Sequence, residues 1–311
     1  MILDRLLGPV SRDSFFADTF LRQPFSSPGT AKHLCGNGSW QTALDLLAAE
    51  DADVLVVRDG ERWPEERVPA PEEAAALRED GYTLLVRHAE RHDQRLARLA
   101  AAFESELSGD TDVHVYATPG GKHGFGWHYD AEEVFLLQTE GTKEYSLRKN
   151  TVNPWPTLET LPQDMRYERE QMPLMKCLLE PGDWLYIPNG WWHTAHAVTD
   201  SITLAVGVLR PAAIDLLDAV RETLLSSLLW RQRLPVGSGG LVSLTDRPGE
   251  GAGGTPKTAA DQLKELADAL ADDLRRELTN PLFLKWWLEQ QEERAEAARQ
   301  RAEELRDSAA E

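Results

Sequence analysis

Between residues 112 and 210 five short β-rich segments follow one another: VHVYATPGG, EVFLLQTEG, KEYSLRK, WLYIPNG and SITLAVGVL, separated by Gly, Pro and Asn. Strands this short, with turn residues between them at regular intervals, suit a double-sheet jelly roll whose interior can hold a ligand or a metal. The fold expected is therefore mainly β with α. It has a β-rich core at 112–210 within a first domain of residues 1–210, and a helical region over 211–311.

The flanks read as mixed structure. SRDSFFADTFL has the pattern of a helix behind a Ser cap, DADVLVVRDG of a strand ending in a turn, and RWPEERVPAPEE of a Pro-rich loop. GYTLLVRHAE is a second strand, followed by a helix with Leu96, Leu99, Phe103 and Leu107 on one face. Beyond the core, Pro211 stands where a helix can start, and Ile214, Leu217, Val220, Leu224 and Leu228 recur at helical spacing. Residues 235–256, PVGSGGLVSLTDRPGEGAGGTP, form a flexible linker or long loop. Leu263, Leu266, Leu270 and Leu274 mark an amphipathic helix, and Asn280-Pro281 starts a last one carrying Phe283, Trp286 and Trp287. Its tail, EQQEERAEAARQRAEELRDSAAE, is expected to be solvated and frayed unless a partner covers it. The leucine stripe and Trp pair are expected to form a core completed by a second copy, giving a homodimer through 211–234 and 258–290.

Composition narrows the functional classes. No apolar run reaches the length of a membrane span, and MILDRLLGPVSRDSFF lacks the parts of a signal peptide. Two cysteines, Cys35 and Cys177, are too few for a disulfide framework or a four-thiolate zinc site. A cytoplasmic protein is expected. The net charge of −19 argues against a general nucleic-acid binder. It suits a basic protein or peptide partner, although most of the excess is expected to serve solubility.

In GFGWHYDAEEVFLLQ, His128 and Asp130 are two apart, so on a strand both side chains share one face. The segment GDWLYIPNGWWH places Gly182, Pro188, Gly190 and His193 at the spacing G-x5-P-x-G-x2-H. That pattern reads as a turn, an inward strand, a tight turn, and a histidine opening the next strand toward the barrel interior. Two imidazoles and one carboxylate on one side of a metal leave coordination positions open, as in non-haem Fe(II) oxygenases. The chain has eight histidines, so each needs a reason to be promoted. His196, three residues past His193, faces the other way and is assigned to packing. His88-Ala-Glu90 with His92 is assigned to a solvated face, and His123 to the entrance of the site. Glu133 is expected in the pocket wall or at its rim, although a four-ligand cupin pattern would make it a ligand. Trp127, Trp191 and Trp192 crowd the ligands and either narrow the pocket, stack on a substrate side chain, or pack the barrel mouth.

The stretch VYATPGGKHGFGWHYDAEEVFLLQTEGTKEYSL, together with GDWLYIPNGWWHTAH, resembles the JmjC-type ribosomal oxygenases, which are cupin-fold Fe(II)/2-oxoglutarate hydroxylases. The likeness is strongest over residues 112–207. It implies that His128, Asp130 and His193 are the iron ligands. It also implies that Lys143 pairs with the distal carboxylate of 2-oxoglutarate and that the Tyr116 hydroxyl supports it. The implied reaction consumes O2 and 2-oxoglutarate, releases succinate and CO2, and hydroxylates a protein or peptide side chain. From the residues alone, Lys143 after Gly-Thr reads equally well as an exposed hairpin lysine. The chain departs from the family at Trp127, where those enzymes often carry proline, and at the basic Lys122-His123. Other readings stay open: the same chemistry on a small molecule or biosynthetic peptide, N-demethylation, a non-catalytic metal-binding cupin, and a zinc isomerase with Glu133 as ligand.

Overall fold

Alternation along the strands sets the architecture, because successive residues face opposite sides and both sides of the main sheet must be covered. A computed structural model of the chain describes residues 1–65, 67–162, 172, 174–234 and 259–307; the loop expected at 235–256 lies outside them. In chain order the strands are β1 (Phe25–Ser26), β2 (Asp53–Arg58), β3 (Glu61–Arg62), β4 (Thr83–Arg87), β5 (Asp110–Thr118) and β6 (Glu133–Glu140). They continue with β7 (Lys143–Arg148), β8 (Met175–Leu179), β9 (Trp184–Ile187), β10 (Trp192–Ala197) and β11 (Ser201–Leu209). Two antiparallel sheets result, in the orders β1-β9-β6-β11-β5-β4-β2-β3 and β10-β7-β8. The five segments read from sequence are strands, whereas β8 was not anticipated. Its MKCLL lacks alternation, and it is held as an edge strand by pairing with β7.

Helices α1 (Ile2–Leu7), α2 (Arg12–Ser14), α3 (Trp40–Leu47), α4 (Ala74–Glu79) and α5 (Gln94–Leu107) accompany the large sheet. Leu3, Leu6, Leu96, Leu99 and Phe103 from α1 and α5 pack with Val113 and Val115 of β5, Phe135 and Leu137 of β6, and Leu204 and Val206 of β11. The alternate residues Val134, Leu136, Leu185, Ile187 and Ala205 turn to the other side, where they meet Tyr145 and Leu147 of the small sheet. Each fully buried Leu or Phe contributes roughly 1.5–3 kcal/mol relative to exposure, so these two layers fix strand register. Local signals agree with the tertiary ones. Ser39 and Thr42 form a capping box at α3, and the Asp93 side chain accepts from the Arg95 (2.7 Å) and Leu96 (3.3 Å) amides at α5. The Ser11-capped α2 passes into a wider π turn over Phe15–Thr19, where the Phe20 amide reaches the Phe15 carbonyl at 2.8 Å. At the β6–β7 hairpin Gly141 has φ +66°, and a β-carbon there would run into the Asp200 carbonyl. Only glycine fits, and the turn fixes where Lys143 begins β7.

The chain divides into two compact units, Met1–Arg210 with Glu292–Glu311, and Pro211–Gln291. The second contains α6 (Asp215–Ser226), α7 (Ala259–Leu278) and the start of α8 (Pro281–Asp307). Helix α6 is shorter than its apolar spacing implies. Ile214 and Leu228 fall outside it, and Val220 and Leu224 are its buried residues. The Asn280 side chain accepts from the Leu282 amide at 2.9 Å, capping α8 as its Asn-Pro start implies. The expected frayed tail is instead helical to Asp307. Arg301 pairs with Glu104 of α5 at 2.6 Å, Arg98 donates to the Leu305 carbonyl at 3.0 Å, and Ala295 and Ala298 are buried. Small alanines allow close approach, and the flanking charges find partners on α5. None of the described helices is long and apolar enough to cross a membrane.

Candidate active site

The segment before β6 and the start of β10 lie side by side. The His128 amide donates to the His193 carbonyl at 3.0 Å, and the His193 amide returns a bond of 2.8 Å. This bridge brings the two imidazoles together, tilted by 55° with ring centroids 4.2 Å apart. Asp130, two residues on, brings its Oδ2 to 3.4 Å from His193 Nε2. The three potential ligand atoms all lie within 4.8 Å of one another, the one such His/Cys/Asp/Glu grouping found among the described residues. Each Nδ1 faces a carbonyl, Gly126 at 2.8 Å for His128 and Trp191 at 3.0 Å for His193. A carbonyl only accepts, so the proton sits on Nδ1 and Nε2 keeps its lone pair for a metal. Desolvation, helped by the neighbouring His128, holds the His193 pKa down at about 4, leaving the neutral form that can ligate. Two imidazoles and a carboxylate on one side fit a divalent transition metal with open positions.

A cavity opens from the triad between the two sheets. Tyr116 and Thr118 of β5, Lys143 and Tyr145 of β7, Val134 and Leu136 of β6, and Thr83 and Phe125 line it. Lys143 is 4% exposed, which rules out the exposed-hairpin alternative. Its ammonium donates to Thr118 Oγ1 at 3.3 Å and lies 5.2 Å from the Tyr116 ring centre and 5.9 Å from that of Tyr145. No carboxylate among the described residues pairs with it, and burial alone pulls its pKa down to about 7. The Thr83 hydroxyl is buried without a partner. A buried ammonium without a counter-ion, in a cavity that also holds an unsatisfied hydroxyl, is costly unless an anion completes it, so this cavity fits a carboxylate.

A second chamber shares Tyr116, Phe125, His128 and Asp130 with the first and adds Leu55, Leu85, Arg87, His114, Glu132 and Gly207. The Glu132 pKa is pushed up to about 8 by burial first and then by Asp112 and Asp130. The buried Asp112 Oδ1 has no hydrogen-bond partner, with His114 Nε2 3.8 Å away and His88 Nδ1 3.6 Å from Oδ2. Gly207 makes room for both acids: a β-carbon there would collide with the Glu132 carboxylate and lie 2.8 Å from Asp112 Oδ1. Arg87 is neutralised by Asp53 at 2.6 Å.

Several expected site residues lie elsewhere. Glu133 lines neither chamber; it shares its side of β6 with Phe135 and Leu137, faces the helical layer, and donor groups there hold it. Glu132 occupies the wall instead. Counting by twos from His128 gives Asp130, Glu132, Val134 and Leu136, all of which line a chamber, so the strand period already contained this residue. His123 is half-exposed, 3.5 Å from Asp59 on the β2–β3 turn, and lines neither chamber. Trp192 packs edge-on against Tyr129 with centroids 4.6 Å apart, and Trp191 packs on the inter-sheet core. Neither they nor Trp127 reach the cavities, so the packing alternative describes Trp191 and Trp192. His196 is exposed rather than packed. His88 and Glu90 are not solvated as expected: the Glu90 carboxylate accepts from the Val113 amide at 2.8 Å, and the His88 amide donates to His114 Nδ1 at 3.3 Å.

A jelly-roll core with a His-Asp-His centre at one end of an anion-fitting cavity defines a cupin-class metal protein. Residues 85–216 match the JmjC domain family. The part of the chain that carries the triad is thus similar to JmjC domains. It is 28% identical over 218 residues to the "Bifunctional lysine-specific demethylase and histidyl-hydroxylase NO66" of Drosophila persimilis, covering 66% of this chain and 31% of that protein. This chain thus spans less than a third of that relative's length. The crystal structure of E. coli ycfD resembles it with a TM-score of 0.56 at 20% identity, over 90% of this chain and 71% of that one. A second structure of that protein, described as a ribosomal oxygenase in complex with cobalt and 2-oxoglutarate, gives 0.50 at 19% identity, over 90% and 70%.

Proposed function

We propose that this chain is an Fe(II)- and 2-oxoglutarate-dependent oxygenase that hydroxylates a side chain of a protein or peptide. The observation that carries the reading is the buried, unpaired Lys143 in the same cavity as His128, Asp130 and His193. The cobalt and 2-oxoglutarate held by the E. coli neighbour support the same use of this cavity. Bound there, iron with 2-oxoglutarate and O2 supplies the oxidant for a C–H bond and leaves succinate and CO2. The chain's own residues do the rest. His128 and His193 bind the metal through Nε2 and Asp130 through its carboxylate. Lys143 neutralises the far carboxylate of the cosubstrate, and Thr118 and Tyr116 orient it. Burial holds the Tyr116 phenol well above its ordinary pKa, so it stays a donor. Phe125, Val134 and Leu136 keep water from the reacting atoms.

The second chamber is the substrate side of the centre. The Glu132 carboxyl lines this chamber and, mostly removed from water with Asp112 behind it, needs a proton or a cation, so we propose a basic substrate side chain seated there. Glu132→Gln is expected to reduce discrimination between a basic peptide and its neutral analogue by about tenfold or more. Equal kcat/KM ratios in the variant and the parent exclude the assignment. Intact-mass analysis separates the two oxygenase outcomes: gain of one oxygen for hydroxylation, loss of a methyl group with formaldehyde release for demethylation.

Anaerobic titration of the metal-free protein with Fe(II) and then 2-oxoglutarate tests the reading as a whole. A visible charge-transfer band that needs both components and is absent in His193→Ala is the expected result. Absence of the band in iron-loaded protein moves the non-catalytic cupin reading to the front. We also propose that residues 211–234 and 258–290 pair with a second copy, since Leu217, Leu263, Leu282, Trp286 and Leu288 are exposed there. A monomer by light scattering at micromolar concentration refutes that pairing.

A further inference from the structure

We infer that Glu133 is a positioning residue for the metal centre: its buried carboxylate fixes the turn that delivers His193 against the segment that delivers His128 and Asp130. The inference rests on the metal-centre reading above and concerns a residue on the opposite face of the sheet from the triad.

Glu133 is 3% exposed among aromatic and aliphatic side chains, where a carboxylate is costly and an apolar residue would pack without penalty. It is tolerated because donors converge on it. The Tyr186 hydroxyl donates to Oε2 and itself accepts from the Leu21 amide at 2.9 Å. The Asn189 backbone N–H faces the carboxylate, and Arg210 adds positive charge at longer range. Tyr186 is held in turn by Phe20, stacked at 5.5 Å, so the hydroxyl has little freedom.

What these contacts join is specific. Glu133 is three residues past Asp130, and Asn189 is four residues before His193. The two ligand-bearing segments are laced along their whole length. The His128–His193 bridge is the first rung, the Gly190 amide to the Asp130 carbonyl at 2.9 Å the second, and the Asn189 side chain to the Ala131 carbonyl at 2.7 Å the third. The Glu133 carboxylate, facing Asn189 and bonded to Tyr186, closes the far end. The first two rungs are backbone bonds that many sequences can make. The last two depend on Asn189 and Glu133, and they hold the Pro188–Asn189–Gly190 turn to one position. Gly190 adopts φ +77°, and a β-carbon there would lie 2.7 Å from the Pro154 carbonyl, so the turn packs closely against the Pro154–Pro156 segment.

Residues that orient metal ligands without touching the metal typically change affinity about 10–100-fold when removed. The experiment titrates metal-free protein with Mn(II), reads free Mn(II) by electron paramagnetic resonance, and records the metal-free thermal midpoint of each protein. Glu133→Gln keeps the side-chain volume but not the charge; Tyr186→Phe removes only the hydroxyl. Both are expected to fold and to bind Mn(II) about tenfold or more weakly than the parent. A lowered thermal midpoint with unchanged Mn(II) affinity makes Glu133 merely structural and overturns the inference. If Glu133→Gln does not fold, Tyr186→Phe decides alone by the same two readouts. A parent protein that binds Mn(II) in a manner sensitive to His193→Ala, with both variants binding equally well, defeats this inference only. A parent without such a site defeats the functional reading and this inference with it.

Discussion

Lys143→Met is expected to weaken 2-oxoglutarate binding by about two orders of magnitude while raising the thermal midpoint of the cosubstrate-free protein. The two effects have one cause. In the free protein the ammonium is buried with a threonine hydroxyl as its hydrogen-bond partner and no carboxylate beside it among the described residues, so it opposes folding. Replacing such a charge with an apolar chain of similar shape is stabilising by about 1 kcal/mol or more, which in a chain of this size is roughly 2–4 °C. With a carboxylate present the same ammonium becomes half of a buried ion pair. Removing one partner of such a pair costs about 3 kcal/mol, or roughly 100-fold in Kd.

The same residue fixes a pH dependence. Burial brings its pKa from the ordinary 10.5 to about 7. Between those two values the unfolded chain holds the proton and the folded, cosubstrate-free chain does not, so stability rises with pH across that window. Carboxylate binding restores the charge. Above pH 7 binding must therefore take up a proton, and Kd is expected to rise about tenfold per pH unit. Calorimetry at pH 8 in two buffers of different ionisation enthalpy measures the uptake. A Kd that is flat from pH 6 to 9, or an uptake that survives Lys143→Met, removes Lys143 from the site.

Much of this site was legible because strand chemistry is periodic. His128 and Asp130 two apart, and His193 after a Pro-Asn-Gly turn, need only the alternation of strand side chains to meet on one face. The same rule points to Glu132 for the pocket wall, whereas Glu133, expected at the wall or rim, occupies the odd position that faces the helices. Thr83 and His114 carry no local signal. They enter the cavities because β4 and β5 are neighbours in the large sheet, a pairing between segments some 30 residues apart. The docked end of α8 was equally hidden. Its buried face is alanine rather than leucine, and the partners of Arg301 and Leu305 lie about 200 residues earlier on α5.

His193→Ala separates the metal half of the site from the anion half. It removes one of three ligands, so its effect on metal affinity is expected to exceed the roughly 100-fold upper end for residues that act from behind the ligands. The consequence is measurable without turnover. Metal at about 100 times its Kd stabilises a folded protein by about 2.7 kcal/mol through mass action, and this increment in thermal midpoint should vanish in His193→Ala. Lys143→Met should behave in the opposite way, keeping the increment from metal and losing the further one from 2-oxoglutarate. The prediction follows from geometry: Lys143 begins β7 beyond the Gly141 turn and contacts Thr118, whereas His193 is tied to His128 by two backbone bonds and faces Asp130. If metal still stabilises His193→Ala, the cation is bound elsewhere and the triad is a pair of packed histidines beside an aspartate. If both variants lose both increments, the cavity is one cooperative unit in which the anion completes the metal site, and Lys143 then acts on metal retention as well as on the cosubstrate.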